Sequence, residues 1–168
     1  LTEDYYVANK LAKGFIGTPH IDTNSRLCMA STVVAQQRAF GEDVVPGCYE
    51  DLELADLVIL VGSNAAWCHP VLFQRLATAR EHHGTRIVVI DPRRTTTCSI
   101  ADMHLPVRAG TDAALFNVLL VWLADNGALD QPYITEHTQD FDATLTAARN
   151  DAGTLSQLAK RCGVVEED

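Results

Sequence analysis

Two short apolar runs stand out along the chain and predict buried β-strands. They are residues 57–61 (LVILV) and 86–90 (RIVVI), which are rich in β-branched residues and nearly continuous in hydrophobicity. Strands of this kind are typical of sheets that are buried on both faces. Residues 70–82, between them, have an amphipathic helical pattern that Gly84 ends. Strand, helix and strand at this spacing predict a βαβ unit with parallel strands and a right-handed crossover.

Helical periodicity recurs on both sides of this unit. It predicts helices at 4–13, 29–40, 51–56, 111–126, 131–137, 141–148 and 155–161. A third strand is predicted at 103–107. We therefore predict an α/β fold, a parallel sheet flanked by helices, of the Rossmann-like dinucleotide-binding type. No repeat or linker interrupts the pattern, so residues 1–168 are expected to form a single domain.

Composition and charge narrow the functions that such a fold serves. The net charge of −9 argues against nucleic acid as a partner, because phosphate binding needs clustered Lys and Arg. The longest apolar run, 115–124, is about half of the roughly 20 residues needed to span a bilayer, so no membrane span is expected. Five scattered cysteines form no zinc or iron–sulfur clip and favour a reduced, cytoplasmic setting. Because the chain starts at Leu1, we expect a piece of a longer polypeptide.

The first candidate ligand-binding segment is Val61-Gly62-Ser63-Asn64, directly after the first strand. Ligands bind at this edge of open α/β sheets. Gly62 lets a phosphate approach the backbone, Ser63 and Asn64 offer hydrogen bonds, and the following helix offers free N–H groups. The segment lacks the full G-x-G-x-x-G pattern, and a tight turn with a polar cap explains it equally well.

The second candidate segment follows the second strand and reads Asp91-Pro92-Arg93-Arg94-Thr95. An acidic residue at this point commonly accepts hydrogen bonds from a ribose or a base. Arg93 and Arg94 can clamp phosphate through their guanidinium groups. The alternative is a solvated basic turn. Because this segment and the first one each follow a strand of the same βαβ unit, we favour a nucleotide-like ligand.

The third candidate segment, Gly110-Thr111-Asp112, leads into a predicted helix. The helix N-terminus can meet an anion or a polar heterocycle. An ordinary helix cap explains the same residues, and taken alone this segment favours the cap.

The fourth candidate is Cys28, at the start of the predicted helix 29–40. A helix N-terminus favours the thiolate, which is the form that binds metals, and Arg26 adds positive charge. Most unpaired cysteines are small buried hydrophobes, however, and the residue types alone favour that interpretation.

Together these segments resemble the bis-molybdopterin guanine dinucleotide oxidoreductases, and among them the catalytic subunits of assimilatory nitrate reductases. The resemblance runs from about Asn9 to Gly163. It is carried by five segments in order: 24–31 (NSRLCMAS), 47–51 (GCYED), 62–70 (GSNAAWCHP), 91–95 (DPRRT) and 110–112 (GTD).

The resemblance implies specific roles for the candidate residues. Cys28 would supply a thiolate to molybdenum, and Asn24 would contact the pterin. The segments 61–68, 91–95 and 110–112 would hold the guanine dinucleotide arms of a molybdenum bis(molybdopterin guanine dinucleotide) cofactor. The other four cysteines match no metal-ligand position and are taken as structural.

The resemblance also implies an activity for the whole enzyme, the reduction of nitrate to nitrite by oxygen atom transfer at molybdenum. Electrons would come from a donor protein or reductase subunit through a 4Fe-4S cluster in a domain preceding Leu1. Since further pterin contacts and the substrate funnel would follow Asp168, the isolated chain is expected to be inactive. The alternatives are a formate dehydrogenase with the same motifs, a noncatalytic scaffold subunit, or a simple nucleotide-binding module. Cys28 together with three nucleotide segments argues against the last two.

Overall fold

The computed structural model describes residues 2–23 and 27–164, which fall into two compact units, Leu1–Gly47 and Cys48–Asp168. The first unit is helical. Helix α1 (Thr2–Asn9) continues into a wider π-helical segment (Lys10–Ile16), and α2 spans Ala30–Phe40. The helices predicted at 4–13 and 29–40 are confirmed within a few residues.

The second unit contains the sheet and the remaining described helices. Its strands are β1 (Leu57–Val61), β2 (Arg86–Ile90) and β3 (Met103–Leu105). Its helices are α3 (Tyr49–Leu54), α4 (Ala65–Cys68), α5 (Pro70–His83), α6 (Asp112–Asp125), α7 (Gln131–His137), α8 (Phe141–Ala152) and α9 (Leu155–Cys162), with a 3₁₀ turn at Thr96–Ile100. Pattern reasoning missed α4 and the 3₁₀ turn, because both are too short to show a helical period.

The three strands form a parallel sheet in the order β1-β2-β3. Leu57 pairs with Arg86 and Val61 with Ile90, so β1 and β2 are aligned along their whole length. Helix α5 forms the connection between these two strands. The α/β class and the parallel βαβ unit are therefore confirmed.

Strand β2 is buried on both faces, as its apolar sequence predicts. Ile87 and Val89 pack with Leu76 of α5 in one hydrophobic cluster. Ile90 belongs to a second cluster, which contains Leu115 of α6 and other residues of α6 and α9. Successive side chains of β2 thus enter two separate cores, as the period of a strand requires.

Strand β1 was expected to be buried on both faces, and this expectation is wrong for one of them. Val58 is only 8% exposed, but Leu57, Ile59 and Val61 are 51%, 43% and 39% exposed. The register places these three side chains on the same face as Ile90. On that face the cluster built on α6 and α9 covers β2 and β3 and, among the described residues, includes none of β1, which lies at one edge of the sheet.

Candidate cofactor-binding site

The first two candidate segments leave the sheet side by side. Val61 pairs with Ile90, and the Gly62 N–H donates to the Ile90 carbonyl oxygen at 2.9 Å. The Asp91 N–H in turn donates to the carbonyl oxygen of Leu105, the last residue of β3, at 3.2 Å. The structure therefore brings the segments 61–64 and 91–95 together at the carboxyl edge of the sheet.

Gly62 takes the left-handed backbone conformation, with φ +57°, which favours glycine over residues that carry a side chain. A Cβ atom built at Gly62 would meet no atom of the described residues within 4 Å. The backbone angle is thus what requires glycine, while the space above this residue is open to a ligand.

The Asn64 side chain is held in place by Thr97, a residue that sequence reasoning missed. The Thr97 hydroxyl donates to Asn64 Oδ1 at 3.1 Å and accepts from the Ala66 N–H at 3.2 Å. Thr97 lies in the 3₁₀ turn and is fully buried. The Asn64 side chain, the Ala66 N–H and the Thr97 hydroxyl thus connect the segment after β1 with the segment after β2.

Asp91 organises the turn in which the arginines lie. Asp91 is 6% exposed, and its Oδ1 accepts from the Arg93 N–H at 2.7 Å. The Asp91 carbonyl oxygen lies 2.9 Å from His104 Nε2, a second contact that sequence reasoning missed. Asp91 therefore has a structural role in an Asx turn, in addition to any contact with a ligand.

Arg93 and Arg94 are exposed, as is Pro92. Within residues 2–23 and 27–164, neither guanidinium group has an ion-pair or hydrogen-bond partner. The Thr95 hydroxyl, in the same segment, is buried and has no hydrogen-bond partner in this part of the chain. The segment thus presents two positive charges and an unsatisfied hydroxyl, all of which suit an anionic polar ligand.

In the third segment, Gly110–Asp112, the Thr111 side chain bonds to the preceding loop and does not cap helix α6. The Thr111 hydroxyl donates to the Arg108 carbonyl oxygen at 2.6 Å and makes no capping bond to α6. Cys162, which is fully buried, lies with Sγ 3.9 Å from the Thr111 carbonyl oxygen. Gly110 has φ +81°, and Asp112 begins α6. Leu115, in the first turn of α6, shares a core cluster with Ile90, so this segment also lies towards the carboxyl edge.

Cys28 belongs to the first unit, in the turn that immediately precedes α2. It is exposed, so the interpretation as a small buried hydrophobe does not hold for it. Asn24, the expected pterin contact, lies outside the described residues. Among the residues that the structure describes, no three His, Cys, Asp or Glu side chains gather as a metal site, and no helix has the length and hydrophobicity to cross a membrane.

Comparison with known proteins identifies the family. The chain matches the family model of the molybdopterin oxidoreductases over residues 1–168, and it belongs to that family. It is 56% identical over 164 residues to a nitrate reductase of Shewanella frigidimarina and 55% identical over 165 residues to one of Klebsiella oxytoca. Each match covers 98% of the chain, which spans only 18% of the length of either relative.

A solved structure supports the same assignment. The acetylene hydratase from Pelobacter acetylenicus superposes with a TM-score of 0.57 and 27% sequence identity, over 67% of this chain and 15% of that protein. Family membership implies a molybdenum–pterin cofactor. Within the described ranges, Arg93, Arg94 and the Thr95 hydroxyl have no partner and the space at Gly62 is open, and these features fit a phosphate-bearing arm of such a group.

Proposed function

We propose that the chain is part of the cofactor-binding region in the catalytic subunit of a nitrate reductase. The segments Val61–Asn64, Asp91–Thr95 and Gly110–Asp112 hold guanine dinucleotide arms of a molybdenum bis(molybdopterin guanine dinucleotide), in a Rossmann-like arrangement. One observation carries the proposal. Arg93 and Arg94, which have no partner among the described residues, lie in a segment that begins beside the Gly62 segment, at the ligand-binding edge of a parallel sheet.

The hydrogen bonds already made limit which atoms remain for the phosphates. The Gly62 N–H is used by Ile90, so the donors for a phosphate come from Ser63, from the Asn64 amide NH₂ group, from the Thr95 hydroxyl and from the two guanidinium groups. Asp91 Oδ1 is used by the Arg93 N–H, which leaves Oδ2 to accept from a ribose hydroxyl or a guanine N–H.

Cys28 is the protein ligand of molybdenum in this proposal, and Asn24 contacts the pterin. The soft thiolate of a cysteine suits a metal that changes oxidation state. When bound, the cofactor supplies the metal centre at which nitrate gives up an oxygen atom and is reduced by two electrons to nitrite. A 4Fe-4S cluster elsewhere in the longer protein delivers those electrons from a donor protein or reductase subunit.

Nitrate is favoured over formate as the substrate because the formate dehydrogenases that match are more distant than the nitrate reductases. A cytoplasmic location belongs to the same proposal, supported by similarity to an assimilatory nitrate reductase. Cell fractionation, with nitrate and formate assays on the full-length enzyme, tests both points. Formate turnover without nitrate turnover would overturn the choice of substrate.

The guanine dinucleotide assignment is tested on the purified full-length enzyme. Molybdenum is measured by mass spectrometry, and GMP is quantified after acid release. We expect both in the wild type, and we expect Arg93→Gln with Arg94→Gln to lower both because phosphate contacts are lost. Arg86→Gln, at the opposite end of β2, is the matched control and should change neither. Absence of GMP from a molybdenum-loaded wild type would refute the assignment.

A further inference from the structure

Thr97 joins two segments that are far apart in the sequence. Its hydroxyl bonds to the Ala66 N–H and to Asn64 Oδ1, which lie 31 and 33 residues earlier in the chain. The Thr97 side chain is 0% exposed, and its turn follows directly on the segment that carries Arg93 and Arg94. A single buried hydroxyl therefore links the two candidate phosphate-binding segments.

The direction of these bonds determines what Asn64 presents to a ligand. Because the Thr97 O–H donates to Oδ1, the oxygen of the Asn64 amide is turned inward and its NH₂ group is left as a donor. The Ala66 N–H, at the start of α4, is satisfied at the same time. An Asn64 amide without this contact can rotate and present its oxygen, which repels an anion.

Burial alone does not explain the arrangement, as a second threonine in the same unit demonstrates. Thr85 is 2% exposed, lies just before β2 at the opposite end of the strand, and has a buried hydroxyl without a hydrogen-bond partner among the described residues. A threonine can thus be buried in this fold without such a bond. Thr97 differs in that both its donor and its acceptor capacity are used, and both by residues of the first candidate segment or the helix it leads into.

We propose that Thr97 is a positioning residue for the cofactor: it fixes the Asn64 amide so that the NH₂ group faces the same anionic dinucleotide arm as Arg93 and Arg94. This inference rests on the proposed function above. Thr97 does not touch the ligand, and its effect is transmitted through Asn64.

The test uses the full-length, cofactor-loaded enzyme and measures the rate at which GMP-containing cofactor is released during incubation. Thr97→Val keeps the volume but removes the hydroxyl, and we expect release to be about tenfold faster, the equivalent of one or two lost hydrogen bonds. Thr97→Ser keeps the hydroxyl and should release the cofactor at close to the wild-type rate. Thr85→Val is the matched control, a buried Thr-to-Val change without a lost bond, and should also match the wild type.

A double substitution tests whether Thr97 acts through Asn64. If it does, Asn64→Ala should accelerate release, and adding Thr97→Val should accelerate it little further. Independent, multiplying effects would overturn the inference, and so would a release rate for Thr97→Val equal to that of Thr85→Val.

A second variant at position 97 and the GMP content of the wild type cover the remaining outcomes. If Thr97→Val fails to fold, Thr97→Cys takes its place, because a thiol is a weak donor of similar size; release as slow as from Thr97→Ser would then overturn the inference. A wild type that contains GMP, with Thr97 variants that retain it normally, refutes the role of Thr97 alone. A molybdenum-loaded wild type without GMP refutes the proposed function instead.

Discussion

Among the single residues, Cys28 has two possible roles, structural residue or molybdenum ligand, and a substitution distinguishes them. If its role is purely structural, Cys28→Ser in the full-length enzyme keeps the volume nearly constant, should cost little more than roughly 1 kcal/mol of stability and should leave activity intact. A molybdenum ligand responds differently, because a hard oxygen replaces a soft thiolate. We expect an altered molybdenum electronic spectrum and depressed nitrate reduction, with cofactor content close to that of the wild type. Full turnover with an unchanged spectrum would refute the ligand assignment.

Asp91 allows the structural and the ligand-binding roles of one carboxylate to be measured separately. Asp91→Asn keeps an oxygen that can accept from the Arg93 N–H, so thermal stability should stay near that of the wild type while the GMP content falls. Asp91→Ala also removes the acceptor and should cost about 1 kcal/mol more in the free energy of unfolding. Chemical denaturation and nucleotide analysis distinguish the two. Undiminished GMP in Asp91→Asn would show that Asp91 serves only the turn.

Sequence reasoning picks out candidate residues by their type and position, and misses residues that act through distant contacts. Gly62 follows β1 directly, and Arg93 and Arg94 lie in the segment after β2, so their position after a strand is visible in the sequence. Thr97 and His104 were missed because their hydrogen bonds join segments that are distant in the sequence and that only the fold brings together. A threonine in a polar TTT run gives no sign that one hydroxyl is buried and doubly bonded.

At the scale of the element, two strands with nearly the same apolar pattern differ in burial. The sequence predicts both strands but cannot indicate which one lies at the edge of the sheet. In the 168-residue chain, Ile87→Ala in β2 should cost about 2 to 5 kcal/mol, since Ile87 is fully buried. Ile59→Ala in β1 should cost less than about half of that, because 43% of Ile59 is exposed. Equal losses in urea denaturation would contradict the edge position of β1.

The junction between α5 and the turn before β3 should give the chain an acid-sensitive contact. Asp102 accepts from Arg80 at 2.6 Å and from the Ile87 N–H at 2.8 Å, and these hydrogen bonds hold the pKa of the Asp102 carboxyl below its usual value. A lowered folded-state pKa stabilises the fold above the unfolded value, and this contribution is lost as the pH falls through the folded pKa.

The corresponding measurement is unfolding as a function of pH for the wild type and Asp102→Asn. We expect the wild type to be the more stable at neutral pH. The difference should shrink below about pH 4, where the carboxyl of the unfolded chain takes up its proton while that of the folded chain stays charged to lower pH. Arg149→Gln, which removes a similarly exposed partner from Asp125 in another part of the chain, should show the same trend, because Arg149 also lowers the pKa of the Asp125 carboxyl. A difference that is constant from pH 7 to acid would show that the Asp102 carboxylate charge contributes nothing.

At the scale of the whole molecule, the sequence was sufficient for the α/β class, the parallel pairing and the family, because these depend on strand patterns and on motifs in a fixed order. The Rossmann-like mode of dinucleotide binding stays a prediction, since the described sheet has three strands and the chain spans 18% of its relatives. The candidate residues are divided between two compact units, with Cys28 in the first and the three loop segments in the second.

This division leads to a prediction for the 168-residue chain by itself. In the part of the chain that the structure describes, the two core clusters draw on β1, β2 and helices α5, α6, α8 and α9. They contain neither Cys28 nor either arginine of the second segment, so we expect the hydrophobic core to form without the cofactor. A ligand with several arms needs contacts from many segments at once, because each contact alone contributes too little to offset the loss of freedom on binding. We therefore expect the purified chain to fold but to contain no molybdenum, whereas the full-length enzyme from the same cells contains it. Circular dichroism and metal analysis of both proteins make the comparison, and stoichiometric molybdenum in the short chain would show that these residues bind the cofactor without the rest of the enzyme.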